Sequence, residues 1–445
     1  MKEGNVLNQK NKTLYRNLSA PVSVQVEITS NCNNDCIYCY NHWRDKNQSH
    51  LTSLSVEDLK CICDQLIANQ IFKVTLTGGE PLLFWQRLLV AIARLKSNKI
   101  DVNLNSNLTT ITPEIAQALK NSGLESILTT VLSHKEDIHD NLSNRRGAWK
   151  QMVKGIETAM AHGLNVGVNM VLLQQNYQFL YETAQFVKSF GVRSFSATKS
   201  SPALNTRDFS KFRLSIEELR VTLEALEVVK KELKMSVDVL ECYPLCLLSD
   251  LNKFWHYGRR NCTAGITTCT IGFDGNVRPC SHSDMVYDNI FEKRLSDIFS
   301  KMTDWREGRY IPDNCKNCDY FRMCSGGCRM EAKYLGDICG KDPYMTAPND
   351  VVLKSTEIFS KISADQKFVF HGKNFRWREE EFGAIVAAEG ADTLLVNKDG
   401  LNILRQLPDY PFSVADIAQK NDSKPEHLER FFAHLSHKRF ITPIN

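Results

Sequence analysis

The spacing of apolar positions changes period along the chain. Between residues 21 and 200, short runs rich in Val, Ile and Leu alternate with stretches whose apolar positions recur every three to four residues. "VSVQVEIT" (22–29), "KVTLTG" (73–78), "IDVNLNSN" (100–107), "ESILTTVLS" (125–133), "NVGVNMVLL" (165–173) and "VRSFSATKS" (192–200) read as strands. "SVEDLKCICDQLIANQ", "FWQRLLVAIARLKS", "TPEIAQALKNSG", "WKQMVKGIETAMAHG" and "YQFLYETAQFVKSFG" read as the helices between them. Ser55 and Asp58 have capping-box spacing, while Pro113 and Gly123 mark the start and end of the third helix. Six strand–helix repeats predict an α/β fold, a partial (β/α)6 TIM-like barrel, with its chemistry at the C-terminal ends of the strands.

Past a helix expected at 216–234 the pattern weakens. Residues 236–365 are rich in cysteine and turns, the texture of a domain held together by bound metal. The last stretch has no cysteine. "KFVF", "FRWR", "GAIVAAE" and "DTLLVN" precede helical runs at about 399–407, 413–420 and 425–438, a small winged-helix-like β3α3 domain. The expected division is an N-terminal extension (1–20), a barrel (21–235), a cysteine-rich domain (236–365) and a C-terminal domain (366–445).

Composition narrows the class. With 42% apolar and 24% charged residues the chain reads as globular, and a net charge of +4 gives no broad basic surface for nucleic acid or membrane. The first residues are polar, and no apolar run approaches the ~18 residues of a membrane span, so a cytoplasmic protein is expected. Disulfides are disfavoured there, so fifteen cysteines argue for metal or redox chemistry. Cys61, Cys63, Cys242 and Cys246 read as buried thiols acting as small apolar residues. The other eleven fall into two fields, 32–39 and 262–339.

In the first field, "CNNDCIYC" places Cys32, Cys36 and Cys39 on the loop after the first strand. Three thiolates suit a four-iron cluster with one iron left for an outside ligand, or a zinc ion borrowing a fourth ligand such as His42. Here the sequence resembles the radical S-adenosylmethionine enzymes, whose signature is CxxxCx-aromatic-C; Tyr38 stands at the aromatic place. Gly78-Gly79-Glu80-Pro81, at the end of the second strand, matches that family's GGEP segment. The resemblance implies that S-adenosylmethionine binds the open iron through its methionyl amine and carboxylate. One electron from the cluster then gives a 5′-deoxyadenosyl radical that abstracts hydrogen from the substrate. It also implies that Glu80 faces the amine, and that Ser106 and Asn107 lie near the ribose and carboxylate. Ser133 would be the corresponding contact after the fourth strand, or an ordinary strand-end residue, since "VLSHKEDIHD" departs from the Ser-x-Asp-Gly turn of many relatives.

In the second field, Cys262-x12-Gly275-x4-Cys280, then Cys315-x2-Cys318-x5-Cys324-x3-Cys328, then Cys339, resembles the SPASM extension of radical enzymes. That resemblance implies two auxiliary 4Fe–4S clusters, three in all. Cys262, Cys269, Cys280 and Cys328 would hold the first, and Cys315, Cys318, Cys324 and Cys339 the second. Without Cys269 the first cluster would keep an open iron for substrate. Two zinc sites are the plainer alternative. Sulfatase maturases of this architecture carry an Asp base just after the residue equivalent to Cys280. Ser281 stands here, leaving His282 and Asp284 either to take a proton or to pack the loop.

The segment "WREEEFGAIVAAEGADTLLVNKDGLNILRQL", with "SVADIAQKN" and "LERFFAHLSHKRFI", resembles the peptide-recognition element related to the pyrroloquinoline quinone peptide chaperone. It implies that the leader of a precursor peptide adds as a strand to a sheet edge, with "DTLLVN" and the helix at 425–438 forming the groove. The alternative is a DNA-binding winged helix. Its helix would carry Arg430, Lys438 and Arg439, but also Glu426 and Glu429. Together the parts resemble maturases of ribosomally made peptides. The expected reaction is hydrogen abstraction from a core residue and an intramolecular crosslink: a C–C cyclophane, an ether or a thioether. Single-residue oxidation or epimerisation is the alternative enzyme, and an iron–sulfur DNA-binding redox regulator the alternative outside enzymes. A flavodoxin or ferredoxin is the expected reductant. Neither membrane nor nucleic acid is an expected partner.

Overall fold

The computed structural model describes residues 14–44, 52–248, 250–346, 362–371, 375–388 and 393–444. Most of the expected N-terminal extension, residue 389 of "GAIVAAE" and residue 392 of "DTLLVN" lie outside these. The chain forms two compact units, 1–352 and 353–445.

In the first unit the alternation expected from sequence is present. Strands β1 (Ser23–Glu27), β2 (Lys73–Thr77), β3 (Asp101–Asn105), β4 (Ser126–Thr130), β5 (Asn165–Leu172) and β6 (Ser194–Lys199) pair in parallel and in order. Helices α1 (Val56–Ala68), α2 (Trp85–Ser97), α3 (Pro113–Asn121), α4 (Glu136–Ser143), α5 (Ala148–Ala161) and α6 (Leu180–Ser189) cover them. α7 (Ile216–Val228) follows, then β7 (Ser236–Asp238), which pairs with β6. The capping box of α1 is formed by Ser55 and Asp58, and Pro113 opens α3. The helices other than α4 turn an apolar stripe to the sheet; α2 buries Leu88, Ala91, Ile92 and Leu95.

Three features differ from the sequence expectation. α4 was not foreseen, because "EDIHDNLS" is too polar and short to show a helical stripe. The helix expected to run to 234 widens at Val229–Leu233 into a π-helical turn and ends with Lys234 left-handed at φ 55°. The third concerns the cysteine-rich stretch. Its strand β8 (Thr268–Ile271) pairs in parallel with the outer edge of β1, and β9 (Asn276–Arg278) and β10 (Asp288–Asn289) extend the sheet to ten strands. One sheet thus runs across residue 236.

A buried charge cluster ties the far side of the barrel to the same stretch. Lys199, at the end of β6, donates to Glu331 Oε1 at 2.9 Å, with both side chains fully buried. Arg213 and Ser201 donate to the same carboxylate at 2.7 and 2.8 Å. Glu331 lies on helix Arg329–Tyr334, which directly follows Cys328.

The second unit has two antiparallel sheets. β12 (Arg376–Glu380), β13 (Gly383–Ala387) and β14 (Leu394–Asn397) form a meander. β11 (Lys367–Phe370), read from sequence as a companion of these strands, pairs instead with β15 (Phe412–Ser413) and β16 (Ile441–Pro443). Helices Lys398–Gln406, Val414–Lys420 and Pro425–His437 close one core with Phe368, Phe412, Phe432 and Phe440. Among the described residues, no helix is long and apolar enough to cross a membrane.

Lys199→Met would leave the Glu331 carboxylate buried with only Arg213 and Ser201, and should destabilise the first unit by about 3–5 kcal/mol. Denaturant unfolding followed by tryptophan fluorescence would show a lowered midpoint; an unchanged midpoint would contradict a structural role for the pair.

Candidate functional site

The register of the sheet sets the site. Glu27 of β1 pairs with Thr77 of β2, so the two strands end level and their following loops leave side by side. The Gly79 N–H donates to the Thr29 carbonyl at 2.7 Å, and the Glu80 N–H to the Asn31 carbonyl at 2.7 Å. A Cβ on Gly78 would sit 2.6 Å from the Thr29 carbonyl oxygen, and one on Gly79 only 2.0 Å from that of Asn31. Gly78 also has φ +142°. The two glycines therefore let the GGEP segment dock on the cysteine loop.

Glu80 is the hub of the docked segments. Its Oε1 accepts from the Leu82 N–H at 2.9 Å and the Ser106 hydroxyl at 2.7 Å, and its Oε2 accepts from the Asn107 N–H at 2.8 Å. A carboxylate offers about four acceptor positions, so about one remains for an incoming donor. Pro81 starts the 3-10 turn that follows. The Asn107 side chain donates to Asn33 Oδ1 at 2.8 Å, and Asn33 donates to Thr109 at 2.8 Å. Ser106 and Asn107 thus join the end of β3 to the cysteine loop. Ser133 is buried, and its hydroxyl accepts from the Lys135 N–H at 3.1 Å, a turn contact local to the end of β4.

α4 holds the other side of the cysteine loop. The N–H groups of Asp35 and Ile37 donate to the carbonyls of Ser143 and Leu142 at 3.1 and 3.0 Å, and Arg145 donates to Asn34 Oδ1 at 3.0 Å. Arg44 bonds the Asn34 carbonyl and the Asp35 carboxylate, and its guanidinium also reaches the Cys39 thiol. Tyr38 packs with Leu132, Leu142, Leu173 and Phe209, anchoring the loop between its second and third thiols. Burial pushes the Cys32 thiol up to about 11 and Cys36 up to about 12. Such thiols ionise only against a strongly positive partner, which an iron core or a metal ion supplies. His42, the borrowed ligand of a zinc reading, has Arg278, Asp284, Asp274 and Lys333 as its charged neighbours, and burial lowers its pKa to about 4.

The second field begins against the first. Tyr40, next to Cys39, stacks on His282 with ring centres 4.0 Å apart, and its hydroxyl bonds Ser281. Trp43 meets Phe273 edge-on at 5.1 Å. Beneath them Glu27 and Arg278 form a buried ion pair at 2.5 Å. His282 Nε2 lies 3.3 Å from the Glu241 carboxylate, whereas Asp284 is paired with Lys333.

All fifteen cysteines are free thiols. A cavity of about 410 Å³ is lined by Cys242, Cys262, Cys269, Cys280 and Cys328, together with Glu241 and His282. Five thiols around a space this large fit a multi-atom inorganic cluster. Backbone N–H groups of Ala264 and His282 aim at the sulfurs of Cys262 and Cys280. Cys315, Cys318 and Cys324 line a second, smaller and apolar pocket with Cys246, Leu245 and Met345. Cys339 is exposed, its sulfur 3.7 Å from the Arg309 carbonyl oxygen. Cys242 and Cys246 were read from sequence as inert thiols, yet each faces one of these groups. Their spacing from the motif gave no signal. Of the two thiols on α1, Cys63 is buried as expected, whereas Cys61 is exposed.

A family model of the radical SAM superfamily matches residues 26–187, and one of an iron–sulfur cluster-binding domain, SPASM, matches residues 262–319. An AdoMet-dependent heme synthase of Methanosarcina barkeri is 23% identical over 354 residues, covering 73% of this chain and 96% of the relative. The antilisterial bacteriocin subtilosin biosynthesis protein AlbA of Bacillus subtilis is 26% identical, covering 70% of this chain and 68% of AlbA. The crystal structure of Streptococcus suis SuiB bound to precursor peptide SuiA superposes with a TM-score of 0.61 at 18% identity, covering 73% of this chain and 75% of that one. With both family models matched, the chain carries a radical SAM domain and a SPASM iron–sulfur cluster-binding domain.

Proposed function

We propose that this enzyme is a maturase of a ribosomally made precursor peptide, and that it closes an intramolecular side-chain crosslink: a C–C cyclophane, an ether or a thioether. The observation that carries the reading is the join between the two cysteine fields, where Tyr40 stacks on His282. A radical-generating site packed against a second redox site suits an oxidation of the substrate. Such a crosslink removes two hydrogens, one as an atom and the other as a proton and an electron.

Cys32, Cys36 and Cys39 would hold the radical-generating 4Fe–4S cluster. When bound, this cluster and S-adenosylmethionine supply a one-electron cleavage that yields a hydrogen-abstracting 5′-deoxyadenosyl radical. The docked segments Gly78–Pro81 and Ser106–Asn107 shape the cofactor side of the site, with the remaining acceptor position of Glu80 open to the methionyl amine. Tyr38 and Ser133 fix the neighbouring loops from within the core. Cys262, Cys269, Cys280 and Cys328 would hold a first auxiliary cluster, and Cys315, Cys318, Cys324 and Cys339 a second, making three. His282, held by Glu241 and lining the first cavity, is the residue proposed to take the departing proton. A flavodoxin or ferredoxin of the cytoplasm would supply electrons.

The second unit supports a peptide substrate. Among the described residues, β14 is paired on one side only, and Leu395 on it is 41% exposed. An open edge with an apolar spot suits strand addition by a leader, with helix Pro425–His437 as the proposed second wall. That helix buries Leu428, Phe432 and Leu435 and carries Glu426 and Glu429, a poor face for phosphates. Action on a smaller, non-peptide substrate is the second reading, favoured by the likeness to the heme synthase. The open-edged sheet weighs against it.

Anaerobic protein with dithionite and S-adenosylmethionine should release 5′-deoxyadenosine. Cys36→Ala should abolish the release. Gly79→Ala should slow it about a hundredfold, because the docked loop must shift by an ångström or more. Full activity in either variant would contradict the assignment. Co-expression with the peptide encoded beside this chain should remove two hydrogens from the peptide by mass spectrometry. An unchanged mass with inverted stereochemistry would favour epimerisation instead. Leu395→Asp should weaken peptide binding about tenfold, some 1.4 kcal/mol, while uncoupled 5′-deoxyadenosine release stays as in the parent. Unchanged binding would remove β14 from the leader site.

A further inference from the structure

One face of the barrel sheet carries a continuous polar row. Thr270 of β8, Gln25 of β1 and Thr75 of β2 are in register, and the row runs on through Asn103 of β3, Ser126 of β4 and Asn165 of β5. Residues in register across a sheet share a face. The neighbouring residues Val74, Val102 and Val166 alternate to the opposite face and are buried. Closed (β/α)8 barrels fill their interior with layers of Val, Ile and Leu. Here the apolar positions face the other way, and Thr270, Gln25 and Thr75 line the 410 Å³ cavity.

The row has the chemistry of a binding surface. None of its members is charged, and the charges in the rows on either side are matched. Below it Lys73 is in register with Asp101, and above it Glu27 is buried against Arg278. Gln25 Oε1 is buried and has no hydrogen-bond partner among the described residues. Such an atom is costly unless a donor reaches it. Ser126 donates to Asn103 Oδ1 at 2.5 Å, so Asn103 keeps its N–H groups as donors. The row lies two residues, about 7 Å, below the strand-end residues Glu27, Thr77 and Asn105. The cysteine loop, Gly78–Pro81 and Ser106–Asn107 begin beyond those ends. A chain seated on the row therefore lies beneath the segments that shape the cofactor side.

We infer that this row is a substrate subsite, and that it seats a neutral, hydrogen-bonding residue of the core peptide: serine, threonine, asparagine or glutamine. A donor on that residue meets Gln25 Oε1, and an acceptor meets Asn103. An aromatic ring in the same place would leave both without partners. Of the three crosslinks proposed above, the row therefore disfavours the cyclophane and leaves the ether and the thioether. The inference rests on the peptide reading above.

The test uses the full-length enzyme with the precursor peptide encoded beside this chain. Gln25→Leu, and the near-isosteric Thr75→Val, should each lower the crosslinked fraction of the peptide about tenfold, the loss of one hydrogen bond to the ligand. The 5′-deoxyadenosine formed per crosslink should rise in step, while the unfolding midpoint stays as in the parent. Each Ser, Thr, Asn and Gln of the core is then replaced in turn by Ala. One position should match the loss of Gln25→Leu and should not add to it when the two changes are combined. Unchanged crosslinking in both enzyme variants, or full additivity at every polar core position, would overturn the subsite. A product joined through an aromatic ring carbon would overturn it too. A parent enzyme that leaves the peptide unmodified would instead sink the maturase reading itself.

Discussion

The site depends on the pairing of β8 with β1. β1 ends in the loop that carries Cys32, Cys36 and Cys39, and the β8–β9 hairpin leads to Cys280. Parallel register between the two strands, sealed by the buried Glu27–Arg278 pair, brings the two loops together at one end of the sheet. Burying two charges is costly, and it is tolerated where each charge finds its partner and further hydrogen bonds. Arg278 meets this condition by donating to the Ser283 carbonyl at 2.9 Å as well. Removing either partner would strand a charge directly under the stacked Tyr40 and His282.

A second constraint acts along the sheet. The loops after β1, β2 and β3 are bonded to one another before any ligand is considered, through the Gly79–Thr29 and Glu80–Asn31 backbone bonds and the three hydrogen bonds to the Glu80 carboxylate. The result is a preorganised floor. Residues that would otherwise spend binding energy on ordering are already ordered. The same economy holds on the far side, where Lys199 and Glu331 fix the end of β6 to the helix after Cys328.

Much of this was legible in the sequence, for local reasons. The six strands, the capping box at Ser55 and Asp58, Pro113 at a helix start, and the GGEP segment at a strand end all announce themselves within windows of a dozen residues. What stayed hidden was non-local or weakly patterned. β8 has only four residues and pairs with a strand far away in sequence. α4 lacks an apolar stripe, yet it carries the carbonyls that clamp Asp35 and Ile37. β11 looks like the first strand of the meander, but its partners lie on either side of the last two helices in sequence. Cys242 and Cys246 fall outside the spacing of the cysteine motif, and only the fold brings them to the thiols at 262 and 324. The fold also supplies a reason that the motif alone does not show: the Asn31 carbonyl lies against Gly79 and leaves no room for a side chain.

The central claim is that this chain directs a radical at a peptide. The most direct measurement follows one hydrogen. Precursor peptide made in deuterated medium and transferred to ordinary water should, on turnover, leave deuterium in the 5′-deoxyadenosine recovered, in proportion to crosslinked product. Crosslinked peptide formed alongside 5′-deoxyadenosine free of deuterium would contradict the account.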